Sequence, residues 1–206
     1  MTEHADIGHL NPALKDLVEE LVFVSKRLYG RGLVAGTGGN ISVRVPGLGL
    51  ILIKRSGVCL GDVVEDDFLA VNFEGDIVSA SKEEGIVPSK ELPFHLAIYS
   101  VRPDVNSVIH THSPYCTAYA VSGKDLSAVT AQAESGLGRV PLIPFAPPGS
   151  DRLARLVAKT FGEHDVRVAL LEGHGVVAVG RTVKEAYYTA DLAEETAKVC
   201  YLVEKM

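Results

Sequence analysis

Short strands joined by tight turns, with long helices on either side, constrain this chain most. Ile41-Ser42-Val43-Arg44-Val45 alternates apolar and polar as a strand does. Pro46-Gly47 supplies a turn, and residues 48–54 read as the hairpin partner. Residues 63–72 predict a short helix or turn followed by another strand, and Gly75-Asp76 turns into Ile77-Val78. Further strands are expected over 105–112, 137–145, 166–171 and 176–179. Hairpin-linked strands pair antiparallel, and long helices beside them must bury an apolar stripe against the sheet. The expected architecture is a mixed or largely antiparallel sheet covered by helices, an α/β class.

The helices carry their own signals. Leu14, Leu17, Val18, Leu21, Val22, Val24 and Leu28 recur at the spacing of a buried stripe. Asn11 is a candidate cap with Pro12 at the first helical position, and the helix should stop near Gly30-Arg31-Gly32. A helix over 88–100 should begin near Pro93, which disfavours a helical Leu92. A short helix over 114–121 should pack Tyr115, Ala118 and Tyr119. Longer helices are expected over 151–161 and 182–203, with Thr182 and Glu185 in capping-box spacing.

The 206 residues can bury a substantial core, and 47% of them are apolar. With 20 basic and 26 acidic residues the formal charge is −6, and no basic stripe is visible. Non-specific nucleic-acid binding is therefore disfavoured. Cys59, Cys116 and Cys200 are widely spaced and odd in number, so no disulfide framework or CxxC site is expected. Residues 1–11 do not resemble a signal peptide, and no apolar run approaches the roughly 20 residues of a membrane span. No membrane association and a reducing cytoplasmic setting are expected.

Chemistry concentrates at three places. His110 and His112 stand two apart in Val108-Ile109-His110-Thr111-His112, so both rings share one strand face. His174 sits between glycines in Gly173-His174-Gly175. Three neutral imidazoles can hold zinc or a related cation and leave a position for water or substrate; strand histidines can also merely satisfy local hydrogen bonds. Glu91 is a candidate fourth member, as ligand or as proton carrier, although acids also favour a first helical turn. His95, one turn further on, reads as a packed or supporting histidine. Gly38-Gly39-Asn40, Ser56-Gly57 and Ser89-Lys90 offer N–H groups, a hydroxyl and a cation to an anion, although glycine and asparagine also simply make turns.

Taken in order, these segments resemble the class II aldolase/adducin family, and its fuculose-phosphate-aldolase-like enzymes in particular. The resemblance runs over residues 14–203. It rests on Gly38-Gly39-Asn40-Ile41-Ser42, Ser56-Gly57, Pro88-Ser89-Lys90-Glu91 with His95, the histidine-pair strand through Pro114, and His174-Gly175-Val176 with Val179-Gly180. It implies one domain over residues 1–206, a three-layer α/β/α sandwich around a mainly antiparallel sheet. It implies Zn2+, or Mn2+, Co2+ or Fe2+, on His110, His112 and His174, with Glu91 as the catalytic carboxylate. It implies substrate-phosphate contacts at Asn40, Ser56, Gly57 and Ser89, to which the residues themselves add Gly39 and Lys90 as candidates, and a cyclic homotetramer with active sites at subunit contacts. The implied reaction is reversible aldol cleavage of a small ketose phosphate through a metal-stabilised enediolate. Related members decarboxylate hydroxylated keto or aromatic acids, epimerise sugars, or serve as non-catalytic assembly modules. Lys90 and Arg55 depart from the aldolase pattern, as does the lack of an obvious proton-donor tyrosine where Thr130, Gln132 and Glu134 stand. Glu134 is a candidate acid there.

Overall fold

A computed structural model describes residues 12–78, 85–124, 126–163 and 166–206. The expected cap at Asn11 lies outside them. Helix α1 (Pro12–Gly30) leads into β1 (Asn40–Val45), β2 (Leu50–Lys54) and β3 (Phe68–Asn72), the last preceded by a short 3-10 turn. Then follow α2 (Leu92–Val101), β4 (Ser107–Thr111), α3 (Pro114–Ser122), α4 (Ala131–Leu137) and β5 (Leu142–Ile143). The chain ends with α5 (Asp151–Phe161), β6 (Val168–Leu171), β7 (Gly175–Gly180) and α6 (Val183–Glu204).

Among the described residues seven strands form one sheet in the order β3-β2-β1-β4-β7-β6-β5, parallel only at β5–β6. Strand alternation divides the core in two. Ile41, Val43, Leu52, Ile109, Val176 and Ala178 face one apolar cluster, to which α1, α3, α4 and α6 contribute. Ile51, Ile53, Val108, Val177 and Val179 face the other, beneath α2 and α5. The result is a three-layer α/β/α sandwich. In α1, Leu14, Val18, Leu21, Val24 and Leu28 are buried. Each such aliphatic side chain contributes roughly 1.5–3 kcal/mol, which fixes this helix to the sheet. Among the described residues no helix is long and apolar enough to cross a membrane.

Three local expectations are corrected. Residues 137–145 are not one strand: Leu137 ends α4, and pairing is confined to Leu142 and Ile143. Thr130 caps α4 by accepting from the Ala133 N–H, and Pro141 and Pro144 bracket β5 with residues that have no N–H to donate. In α3, Cys116 and Ala120 are buried beside Tyr119, while Ala118 faces outward. At α6, Thr182 accepts from the Glu185 N–H, but the Glu185 carboxylate returns to the Arg181 N–H, one residue before the cap.

Candidate metal centre

His110 lies on β4 with Val108, so its ring enters the layer beneath α2. His112 follows just past the strand end on the same side, and His174 sits in the β6–β7 turn. One ring nitrogen from each falls within 4.8 Å of the others. Nε2 of His110 and Nε2 of His112 are 2.9 Å apart. Glu91, at the start of α2, reaches the same point: its Oε2 is 3.2 Å from His110 Nε2 and its Oε1 is 3.2 Å from His174 Nε2.

The donor set fits a divalent cation. Nδ1–H of His110 donates to the Val176 carbonyl at 2.8 Å, which leaves Nε2 as a bare lone pair. That lone pair faces a carboxylate oxygen and another imidazole nitrogen, a concentration of acceptors that a cation resolves. Burial holds all three histidines below their ordinary pKa; neighbouring histidines add to this at His110 and His174 and Lys90 adds at all three, while Glu91 opposes it at His112 and His174. The rings are therefore neutral at pH 7, in the form that ligates metal, and their contacts with Glu91 are not ion pairs. Glu91 Oε1 is buried without a hydrogen-bond donor. Ligand nitrogens on a tetrahedral ion at about 2.1 Å lie about 3.4 Å apart, inside the 4.8 Å span of the three ring nitrogens.

Two glycines make room for this cluster. A Cβ on Gly175 would stand 2.4 Å from the Thr111 carbonyl, 2.9 Å from His112 Cδ2 and 3.2 Å from His110 Cε1. A Cβ on Gly38 would stand 2.9 Å from His112 Nδ1. Absent side chains at the start of β7 and in the turn before β1 thus form the slot for the His112 ring.

The candidate anion segments are drawn together by Lys54, which sequence reasoning treated only as the end of a strand. Its side chain is buried, and Nζ donates to the carbonyls of Thr37, Gly39 and Val58 at 3.2, 3.3 and 2.5 Å. Its own carbonyl accepts from the Ser89 N–H. One lysine therefore ties the glycine turn, the Ser56-Gly57 loop and the Ser89 segment together. Burial lowers its pKa. Ser56 and Gly57 are exposed, and Gly57 has φ +79°. Gly39 has φ +73°, and its missing Cβ would lie 2.5 Å from Val34 Cγ1. Ser89 is buried, and its hydroxyl accepts from the Glu91 N–H. Lys90 is exposed beside Glu91, and no carboxylate among the described residues pairs with it. Arg55 instead bonds Asp67 at 2.5 Å. Thr130 is a helix cap, and Gln132 and Glu134 are exposed on α4.

Asn40 is buried, with both ends of its amide engaged: Nδ2 donates to Glu91 Oε2 at 2.8 Å and Oδ1 faces His95 Nε2. Ser42, Tyr99 and Arg44 continue this line of polar groups, which the sequence reading missed. The signal was present as two periodicities: Asn40, Ser42 and Arg44 alternate on one face of β1, and Glu91, His95 and Tyr99 recur every fourth residue from the start of α2.

A model of the class II aldolase and adducin N-terminal domain matches residues 19–201. The chain belongs to this family. It is 36% identical over 186 residues to an L-fuculose phosphate aldolase of Methanococcus vannielii, covering 90% of this chain and 96% of that one. It is 33% identical over 194 residues to a 3-oxo-tetronate 4-phosphate decarboxylase of Escherichia coli, covering 92% and 88%. The crystal structure of L-fuculose-1-phosphate aldolase from Thermus thermophilus superposes with a TM-score of 0.81 at 28% identity, covering 92% of this chain and 95% of that one. Family, fold and histidine cluster together support a metal-dependent, lyase-like enzyme.

Proposed function

We propose that this chain, acting as one domain over residues 1–206, catalyses reversible aldol cleavage of a small ketose phosphate with a divalent cation. The observation that carries this reading is the convergence of His110, His112, His174 and the Glu91 carboxylate on one point at the end of a rigid sheet. The three imidazoles hold the ion, with Zn2+ first and Mn2+, Co2+ or Fe2+ as alternatives. Once bound, it supplies Lewis acidity to a carbonyl oxygen. Glu91 then moves one proton at the carbon beside that carbonyl, taking it during condensation and returning it after cleavage. Backbone N–H groups at Gly39 and Gly57, with Ser56, Ser89 and Lys90, bind the anionic end of the substrate, while the Asn40 amide is held by Glu91 and His95 and is not free for it. Lys54 keeps their segments in register.

A cyclic homotetramer in a reducing cytoplasm, without nucleic-acid or membrane partners, completes the proposal; Cys59, Cys116 and Cys200 are free. A decarboxylase of a hydroxylated keto acid is the second reading. The exposed Lys90, next to Glu91 in the chain, favours it, because its ammonium suits a second anionic group on the substrate. Ketose phosphates and keto acids offered to the zinc-loaded protein, with aldehyde and carbon dioxide followed together, test the two. Aldehyde release supports aldol cleavage. Carbon dioxide without aldehyde overturns it in favour of decarboxylation, and release of neither overturns both.

A further inference from the structure

A polar zipper runs from Glu91 into the molecule between β1 and α2. Along β1, Asn40, Ser42 and Arg44 share the face opposite Ile41, Val43 and Val45. Along α2 and its first turn, Glu91, His95 and Tyr99 share the facing stripe. Two strand residues advance about 6.6 Å and four helical residues about 6.0 Å, so the two rows stay in step. Asn40 thus meets Glu91 and His95, Ser42 meets His95 and Tyr99 at 2.7 Å each, and Arg44 donates to the Tyr99 carbonyl at 2.9 Å.

The donors and acceptors in this row have one consistent direction when Glu91 is ionised. The carboxylate only accepts, so Asn40 turns its Nδ2–H toward it. Asn40 Oδ1 then requires a donor from His95, which places the proton of the ring on Nε2. His95 Nδ1 is left to accept from the Ser42 hydroxyl, and Ser42 accepts from Tyr99. Reversing the amide would set Asn40 Oδ1 against the carboxylate, acceptor on acceptor. We propose that His95 is a positioning residue, which as the neutral Nε2–H tautomer holds the Asn40 amide with its N–H toward Glu91 and so fixes the carboxylate in place at the metal centre. This rests on the reading of Glu91 as the proton carrier.

Independent observations agree with it. His95 is fully buried, and burial, with His110 adding, holds its pKa well below the ordinary histidine value. Its ring is stacked on Phe94, centroids 4.7 Å apart, so it has little freedom to turn. Tyr99 is buried too, and burial raises its pKa, so the hydroxyl proton stays at the far end of the row. Phe94 in turn lies edge-on to His110, with ring centroids 5.6 Å apart. A purely apolar packing role would not need all four ends satisfied.

The test uses the full zinc-loaded chain and two readouts. Nitrogen-15 spectra of the imidazoles should show His95 neutral, protonated on Nε2 and bare on Nδ1. Exchange of the carbon-bound proton of dihydroxyacetone phosphate with deuterated water reports the step assigned to Glu91 without any aldehyde partner. His95→Phe should slow exchange about 10–100-fold at unchanged zinc stoichiometry and with little change in KM. His95→Gln, which keeps a donor near Nε2, should recover most of it. Ser42→Ala, a milder change, should give a mixture of His95 tautomers and a smaller fall. An Nδ1–H or doubly protonated His95 overturns the proposal, as does His95→Phe that exchanges at the wild-type rate. Equal losses in the Phe and Gln variants accompanied by loss of zinc also overturn it, because they indicate a structural role only. Wild-type protein that shows no exchange at all refutes the aldol reading of Glu91 instead, and the tautomer then decides the positioning proposal by itself.

Discussion

Gly175→Ala places one methyl group where the histidine slot closes. The added Cβ would stand 2.4 Å from the Thr111 carbonyl and 2.9 Å from His112 Cδ2. Ordinary contacts begin at about 3.5 Å, so β4 and β7 must part by about 1 Å at this rung or the His112 ring must swing out. Gly175 pairs with Leu171 on β6 and neighbours the Val176–Thr111 pair, so the backbone is held on both sides and yields little. Overpacking of this kind costs about 1–3 kcal/mol of stability. Displacing a ligand's support weakens metal binding about 10–100-fold. Gly175 has no positive φ, so the cost is steric and not conformational. Gly30→Ala is the control: nothing lies within 4 Å of its Cβ and its backbone is right-handed, so stability should hold or rise by about 0.4–1 kcal/mol. Denaturant unfolding measures the first quantity, and competition with a chromophoric chelator measures zinc affinity. Gly175→Ala protein that binds zinc as tightly as wild type would refute the assignment of this glycine to the histidine slot.

Three further outcomes are expected. His112→Ala should lose zinc and turnover together, and unchanged zinc stoichiometry by elemental analysis would remove His112 from the ligand set. Glu91→Gln should keep the fold and most of the metal but lose about 10²–10⁴-fold in turnover; near-normal proton exchange would sink its catalytic role. His95 and His110 are fully buried with folded pKa values below the ordinary 6.5. As pH falls below about 6.5, the unfolded chain takes up protons that the folded one refuses. Stability therefore falls with pH, by up to about 1.4 kcal/mol per pH unit for each histidine. Thermal melts from pH 8 to 5 check this, and a melting temperature constant across that range would contradict it.

What was legible in the sequence was whatever repeats at a fixed period. The β1–β2 hairpin, the α1 stripe and the helices at 151–161 and 183–204 follow from alternation, apolar spacing and caps. The ligand candidates were legible for the same reason: His110 and His112 are two apart on a strand, and a strand has only two faces. Contacts across the sheet were not legible. Lys54 closes an apolar strand in the sequence, and only folding brings the carbonyls of Thr37, Gly39 and Val58 around its ammonium. Asn40 sits in a glycine-rich turn that suggests an anion contact, yet its amide spans Glu91 and His95, 51 and 55 residues away. Arg55 carries a charge that suited a substrate until the fold gave it Asp67. Helix α4 was masked because its seven residues are too few for an apolar stripe, and Pro141 then cut the expected strand short.

X-ray absorption at the zinc edge of the metal-loaded protein tests the central claim most directly. The expected spectrum contains three imidazole nitrogens at about 2.0–2.1 Å, with the remaining coordination from oxygen. A sulfur shell, a site with fewer than three imidazoles, or protein that retains no zinc would contradict it.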